Sequence, residues 1–174
     1  MTIHTEHPFL DPSDAVRRLR GRLGGAVSLW TSGSEGARAG LTVSSLMVAG
    51  GEPGRVLALV DPDSDLCDAL EATGRAVVHL LGWEHRDLAE VFAGQLPSPG
   101  GRFTTAEWDQ TAHGPRLASA RTWATVEVQS LDAVGWSTLV TAQLTEVVLG
   151  EDDALEHRRG HYLRRGPEAP AGRS

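Results

Sequence analysis

The sequence predicts a mostly β fold, an antiparallel barrel of six or seven strands with a few short helices. Two long late segments alternate apolar and polar residues, as in ATVEVQ (124–129) and STLVTAQLTEVVLG (137–150). Several successive β-rich runs are joined by turns too short to hold a crossover helix, which favours antiparallel pairing over parallel βαβ units. Many short strands with few helices then point to a closed or nearly closed barrel.

The elements follow in order. Asp11-Pro12 marks a helix start, an N-cap residue followed by proline at the first helical position. Val16, Leu19 and Leu23 then recur at helical spacing, with Arg17, Arg18, Arg20 and Arg22 on the polar side, until Gly24-Gly25 ends the helix. Residues 26–31 (AVSLWT) and 41–48 (LTVSSLMV) read as two strands of a hairpin around a Gly/Ser-rich turn. A continuous apolar strand at 55–60 runs into Asp61-Pro62-Asp63-Ser64-Asp65, a turn suited to capping a helix over 66–73. A strand at 76–81 (AVVHLL) and a helix at 84–93, with Leu88, Val91 and Phe92 on one face, come next. Residues 94–116 read as a long, partly ordered loop. Long strands at 120–129 and 136–149 follow, and a short strand at 161–163 is expected to close the sheet. The tail 166–174 (GPEAPAGRS) lacks apolar residues and is expected to be disordered.

Composition narrows the function classes. A chain of 174 residues fits one domain large enough for a core without disulfides or a structural metal. The formal net charge of -7 argues against nucleic acid as the main partner, since phosphate backbones select a basic face. The single cysteine, Cys67, excludes an internal disulfide framework and a paired-thiolate zinc site. All basic residues are Arg, so a lysine Schiff base or a P-loop is excluded. No apolar run reaches the ~20 residues of a membrane-spanning helix, and the first residues lack a signal-peptide core. The cytoplasm is the expected compartment.

No strong catalytic motif is present. His157 and His161 stand four apart, but Gly160 argues against the helix that would place them together as metal ligands, and no metal site is assigned. The acidic run at 61–65 lacks the glycine and distal glutamate of a calcium loop and reads better as a capped turn. Thr42, Ser44 and Ser45 are either the wet face of a strand or donors to a phosphate or flat heterocycle. The five tryptophans read as core or interface aromatics.

Six segments in order resemble the flavin reductase-like family of FMN-binding split barrels. GLTVSSL (40–46) is similar to the family's G-[FL]-T-[AV]-[NS]-S-[FL], and RVLALVDPDSDLCDAL (55–70) to the strand, loop and helix that follow it. GRAVVHLL (74–81) resembles G-x-F-x-V-N-x-L, and Leu88, Ala89 and Phe92 resemble L-A-x-x-F. Gly114-Pro115-Arg116-Leu117 and His157-Arg158-Arg159-Gly160-His161-Tyr162 resemble G-x-P-x-L and the closing H-x-G-x-Y. The resemblance covers residues 12–165, leaving 1–11 as an N-terminal extension.

The resemblance implies a six- to seven-stranded split β-barrel that forms a homodimer and binds FMN or FAD near the dimer seam. It implies flavin contacts from Thr42, Val43, Ser44 and Ser45, and phosphate contacts from Asp61 and Ser64. His157 and Tyr162 are implied near flavin and nicotinamide as the catalytic pair, with either His157 or Arg158 in the family's His position. The implied activity is NAD(P)H-dependent flavin reduction that serves a monooxygenase partner. Another flavin or deazaflavin oxidoreductase on the same barrel, or a non-catalytic flavin-binding protein, is the alternative. Two departures stand out: the phosphate loop is acidic, and Gly135-Trp136-Ser137 replaces the family's G-D-H.

Overall fold

The computed structural model describes residues 15–151 and 153–164. The helix start at Asp11-Pro12, the N-terminal extension and the tail lie outside them. Helix α1 (Ala15–Leu23) leads into β1 (Gly25–Ala26), β2 (Ser28–Ser32), β3 (Ala39–Val43), β4 (Leu46–Ala49) and β5 (Arg55–Val60). Then come α2 (Asp65–Thr73), β6 (Arg75–Leu80), a 3-10 turn and α3 (Arg86–Phe92). A second 3-10 turn precedes β7 (Trp108–Thr111) and β8 (Gly114–Leu117). The long β9 (Thr122–Val134) and β10 (Ser137–Val148) follow, then β11 (Glu156–Arg158) and β12 (His161–Leu163).

Seven strands form one antiparallel sheet in the order β3-β2-β6-β9-β10-β5-β4. Its two edge strands, β3 and β4, are consecutive in the chain and separated only by Ser44 and Ser45. The sheet must therefore curl until its edges meet. Register shifts at Thr141/Ala142 and Leu144/Glu146 of β10 supply the local bends. Helix α2 packs its Leu66, Cys67 and Leu70 among the interior residues Trp30, Val56, Val60, Val126 and Val140. A second core lies outside the barrel wall, where Leu29, Phe92, Leu117 and Leu155 meet Phe103, Trp108 and Tyr162. β2 separates the two cores: neighbouring Leu29 and Trp30 point to opposite sides and both are fully buried. Double burial explains why AVSLWT shows no alternation.

Several expectations change. The run 41–48 is two strands, because its halves belong to opposite edges of the sheet. Residues 26–31 also divide, β1 pairing with β11 and β2 with β3 and β6. The strand at 161–163 does not close the main sheet; it joins β1 and β11 in a separate three-stranded sheet. The segment read as a loop holds the β7–β8 hairpin, whose Trp108 packs edge-on against Phe92 and Phe103. The apolar stripe of α1 faces outward, with Val16, Leu19 and Leu23 at 74%, 62% and 76% exposure.

Fully buried His79 ties three strands together. Its Nδ1 lies 2.9 Å from the Leu29 carbonyl, while the Leu117 N–H donates to Nε2 at 2.9 Å. An acceptor Nε2 requires the proton on Nδ1, so the ring is neutral with both nitrogens satisfied. Burial, the largest cause, lowers its pKa to about 4 despite the Leu29 hydrogen bond. A depressed folded-state pKa means the contribution is complete above the unfolded value, near 6.5, and is lost as pH falls toward 4. Stability is expected to fall by about 2 kcal/mol from this group alone between pH 7 and pH 5. His79→Leu is expected to cost about 2–4 kcal/mol at pH 7 and to flatten that dependence, as read by urea unfolding at both pH values.

Candidate functional site

The Ser44–Ser45 joint is held from three sides by hydroxyl donors. Ser28 Oγ donates to the Val43 carbonyl at 2.6 Å, and Thr42 Oγ1 donates to the Ala89 carbonyl of α3 at 2.7 Å. Ser45 Oγ donates to the Leu59 carbonyl at 3.0 Å, and the Leu59 N–H returns a bond to the Ser45 carbonyl at 3.1 Å. Val43 is buried, and Ser44 is exposed. Of the segment expected to touch flavin, Thr42 and Ser45 thus spend their hydroxyl protons on the barrel itself.

The β11–β12 hairpin is brought to the same place by β1. Gly25 pairs with His157, and a side chain on Gly25 would press its Cβ to 3.1 Å from the Ser44 carbonyl. His157 lies opposite Tyr162 across the hairpin, their rings 5.3 Å apart and edge-on. Ser44, Ser45 and His157 therefore line one cleft of about 300 Å³, walled on its other side by Arg17, Arg20 and Gly24 of the α1 segment.

Glu90 of α3 is the residue that the sequence did not single out. Burial is the main cause holding the His157 pKa below its usual value, and the Glu90 charge opposes that shift while His161 and Arg20 add to it. Burial likewise raises the Tyr162 pKa, helped by its hydrogen bond to Glu90 and by that carboxylate's charge. The three residues form one linked group, and the Thr42 bond to Ala89 fixes the helix turn that carries Glu90. Among the described residues, no group of three or more His, Cys, Asp or Glu side chains could hold a metal ion.

Asp61 and Ser64 stand at the start of α2. Ser64 Oγ accepts the Cys67 N–H at 3.2 Å as N-cap and donates to the Asp61 carbonyl at 2.6 Å. Asp61 Oδ1 accepts the Asp63 N–H at 2.9 Å. Their loop begins two positions beyond Leu59, the residue bonded to Ser45, and neither residue lines the cleft of Ser44 and His157. Trp136 and Gly135 lie apart from the cleft, in the turn between β9 and β10. His161 and Arg158 are exposed.

The cleft combines polar groups with positive charge. Ser44 offers backbone and hydroxyl groups, two guanidinium groups supply positive charge, and a neutral imidazole can both donate and accept. Residues 20–165 match the flavin reductase like domain. The chain belongs to the flavin reductase-like family. It is 31% identical over 158 residues to the FMN reductase (NADH) RutF 1 of Methylorubrum extorquens, covering 90% of this chain and 78% of that one. The reductase component of 4-hydroxyphenylacetate 3-monooxygenase from Pseudomonas aeruginosa is 26% identical over 150 residues, covering 84% and 88%. In structure, the Streptomyces globisporus NADH:FAD oxidoreductase SgcE6, solved with NAD and FAD fragments, superposes with a TM-score of 0.80 at 23% identity. That match covers 91% of this chain and 97% of the other and confirms the split-barrel fold.

Because the Glu90 carboxylate favours the protonated imidazole, Glu90→Gln is expected to lower the His157 pKa further. An NMR titration of the His157 ring checks this. An unchanged or raised value would place the carboxylate elsewhere.

Proposed function

We propose that this protein is an NAD(P)H:flavin oxidoreductase that reduces FMN, or FAD, for a monooxygenase partner. The observation that carries the reading is the convergence of Ser44, Ser45 and His157, from distant parts of the chain, on one cleft of a flavin reductase barrel. Relatives named as FMN reductase (NADH) and as a monooxygenase reductase component support the activity and the partner class.

When bound there, flavin supplies the hydride-accepting ring, so the protein needs no nucleophile of its own. The residues act by placement. Thr42 and Val43 keep the strand rigid up to the joint, Ser45 ties the joint to β5, and Ser44 presents backbone and hydroxyl groups to the ring. Asp61 and Ser64 hold the turn that borders the phosphate end. His157, neutral and backed by Tyr162, forms the wall against which the nicotinamide ring is oriented, where a small misplacement costs rate steeply.

The reading includes a cytoplasmic homodimer. Met47 and Val48 on edge strand β4, the α1 stripe and Trp136 are all exposed apolar surface that a second copy can cover.

With free FMN and NADH or NADPH under anaerobic conditions, the purified protein is expected to bleach the flavin's visible band at a steady rate. His157→Ala is expected to raise the KM for NAD(P)H or lower kcat several-fold, with little change in FMN affinity. Wild-type kinetics in that variant would remove His157 from the mechanism. Light scattering should return twice the chain mass; a monomer at micromolar concentration would contradict the dimer.

A further inference from the structure

A cavity of about 440 Å³ opens at the base of the β11–β12 hairpin, away from its Arg159-Gly160 turn. It shares no lining residue with the cleft of Ser44 and His157. Trp83 and Glu84 enter it from the 3-10 turn before α3, and Arg121 from the link between β8 and β9. Asp153 comes from the segment ahead of β11, and Leu163 and Arg164 from the end of β12. The chain's own bonds tie these segments together. The Gly82 N–H donates to His85 Nδ1 at 3.0 Å, so Nε2 carries the proton and donates to Ser119 Oγ at 3.0 Å. That joins the Trp83 turn to the segment leading into Arg121. Leu155, which also lines the cavity, is pinned through its N–H to the Leu81 carbonyl at 2.6 Å and through its carbonyl to the Val27 N–H at 2.8 Å.

The charges of this cavity are balanced but unpaired. Arg121 and Arg164 bring two guanidinium groups and Glu84 and Asp153 two carboxylates, and among the described residues none of the four forms an ion pair. An anionic ligand would meet the two carboxylates, and a cationic one the two guanidinium groups. A neutral apolar ligand would leave all four without a partner. A small molecule carrying one charge of each sign can satisfy both pairs at once. The rest of the lining is apolar. Leu155 is 1% exposed, and Leu163 adds a second aliphatic side chain. Arg86 Cζ stands 4.9 Å from the centroid of the Trp83 ring, a cation–π contact that fixes the indole.

We propose that this cavity binds a free α-amino acid with an aromatic side chain, in its zwitterionic form. The carboxylate pairs with Arg121 and Arg164, whose planar guanidinium groups match it in a bidentate fork. The ammonium group pairs with Glu84 and Asp153, and the ring packs against Trp83 and Leu155. The volume lies within the ordinary range of small-ligand sites. Leu155 and Leu163 flank the two strands of the hairpin, so the bound amino acid bridges the base of the element that carries His157 and Tyr162. The site stands apart from the reductase reading and does not depend on it.

The test titrates L-phenylalanine into the purified protein by calorimetry, beside phenethylamine and hydrocinnamate, which each lack one of its two charges. L-phenylalanine is expected to bind at millimolar concentration or below, and each analogue about tenfold or more weaker, since a charge-assisted contact is lost. Arg121→Gln/Arg164→Gln is expected to weaken L-phenylalanine by about tenfold without weakening phenethylamine. Glu84→Gln/Asp153→Asn is expected to weaken L-phenylalanine similarly without weakening hydrocinnamate. Arg55→Gln/Arg75→Gln, a loss of charge elsewhere on the surface, is expected to leave L-phenylalanine within about twofold. Thermal melts without any probe establish that each variant is folded, and the comparison of the three probes on the parent stands without the variants. No binding of L-phenylalanine by the parent at millimolar concentration overturns the proposal. Equal affinity for all three probes, or parental affinity for L-phenylalanine in both pairs of cavity variants, overturns it too.

Discussion

The two-residue link between β3 and β4 is the constraint on which the molecule depends. A flat sheet of seven strands would be about 29 Å across at the usual strand spacing of about 4.8 Å. The step from Val43 to Leu46 spans only three Cα–Cα virtual bonds, about 11 Å at full extension. A flat sheet is thus impossible, and curling follows from the connection alone. The bulges between β9 and β10, one extra residue on each strand, bend the wall, and α2 fills the inside that curling creates. Ser44, left without a strand partner where the edges meet, becomes the exposed floor of the cleft.

The joint is satisfied without a ligand. Ser28, Thr42 and Ser45 each give a hydroxyl proton to a carbonyl from another part of the chain, which keeps buried acceptors paired. Removing one of these hydroxyls would disturb the barrel and α3 as well as any ligand contact. The Thr42 bond links the joint to the turn of α3 that carries Glu90, and Glu90 links that turn to His157 and Tyr162. The ligand-facing residues and the packing residues are one system.

Alternation and turn residues made the antiparallel architecture legible, and the acidic turn at 61–65 was legible as a helix cap, which the structure assigns to Ser64. The break in LTVSSLMV was not, because nothing in two serines signals that one strand must end and another begin; the division is imposed by distant partners. Val16, Leu19 and Leu23 show what periodicity can tell: a helix has an apolar face, but not which surface covers it. Gly and Pro around residues 94–101 masked the short β7–β8 hairpin and its Trp108. The gathering of Ser44 with His157 was readable only through family resemblance, since it needs β1 to carry a hairpin from the far end of the chain. Glu90 pairs with residues far along the chain, and no local pattern reports that.

The proposed function requires flavin to lie over the joint, between Ser44 and the β11–β12 hairpin. Backbone amide NMR during an FMN titration addresses it most directly. The predicted result is that the largest shifts fall on Ser44, Ser45 and His157 and saturate together. Shifts centred instead on the separate cleft of Arg38, Gly101 and Arg102, with the joint unmoved, would contradict it.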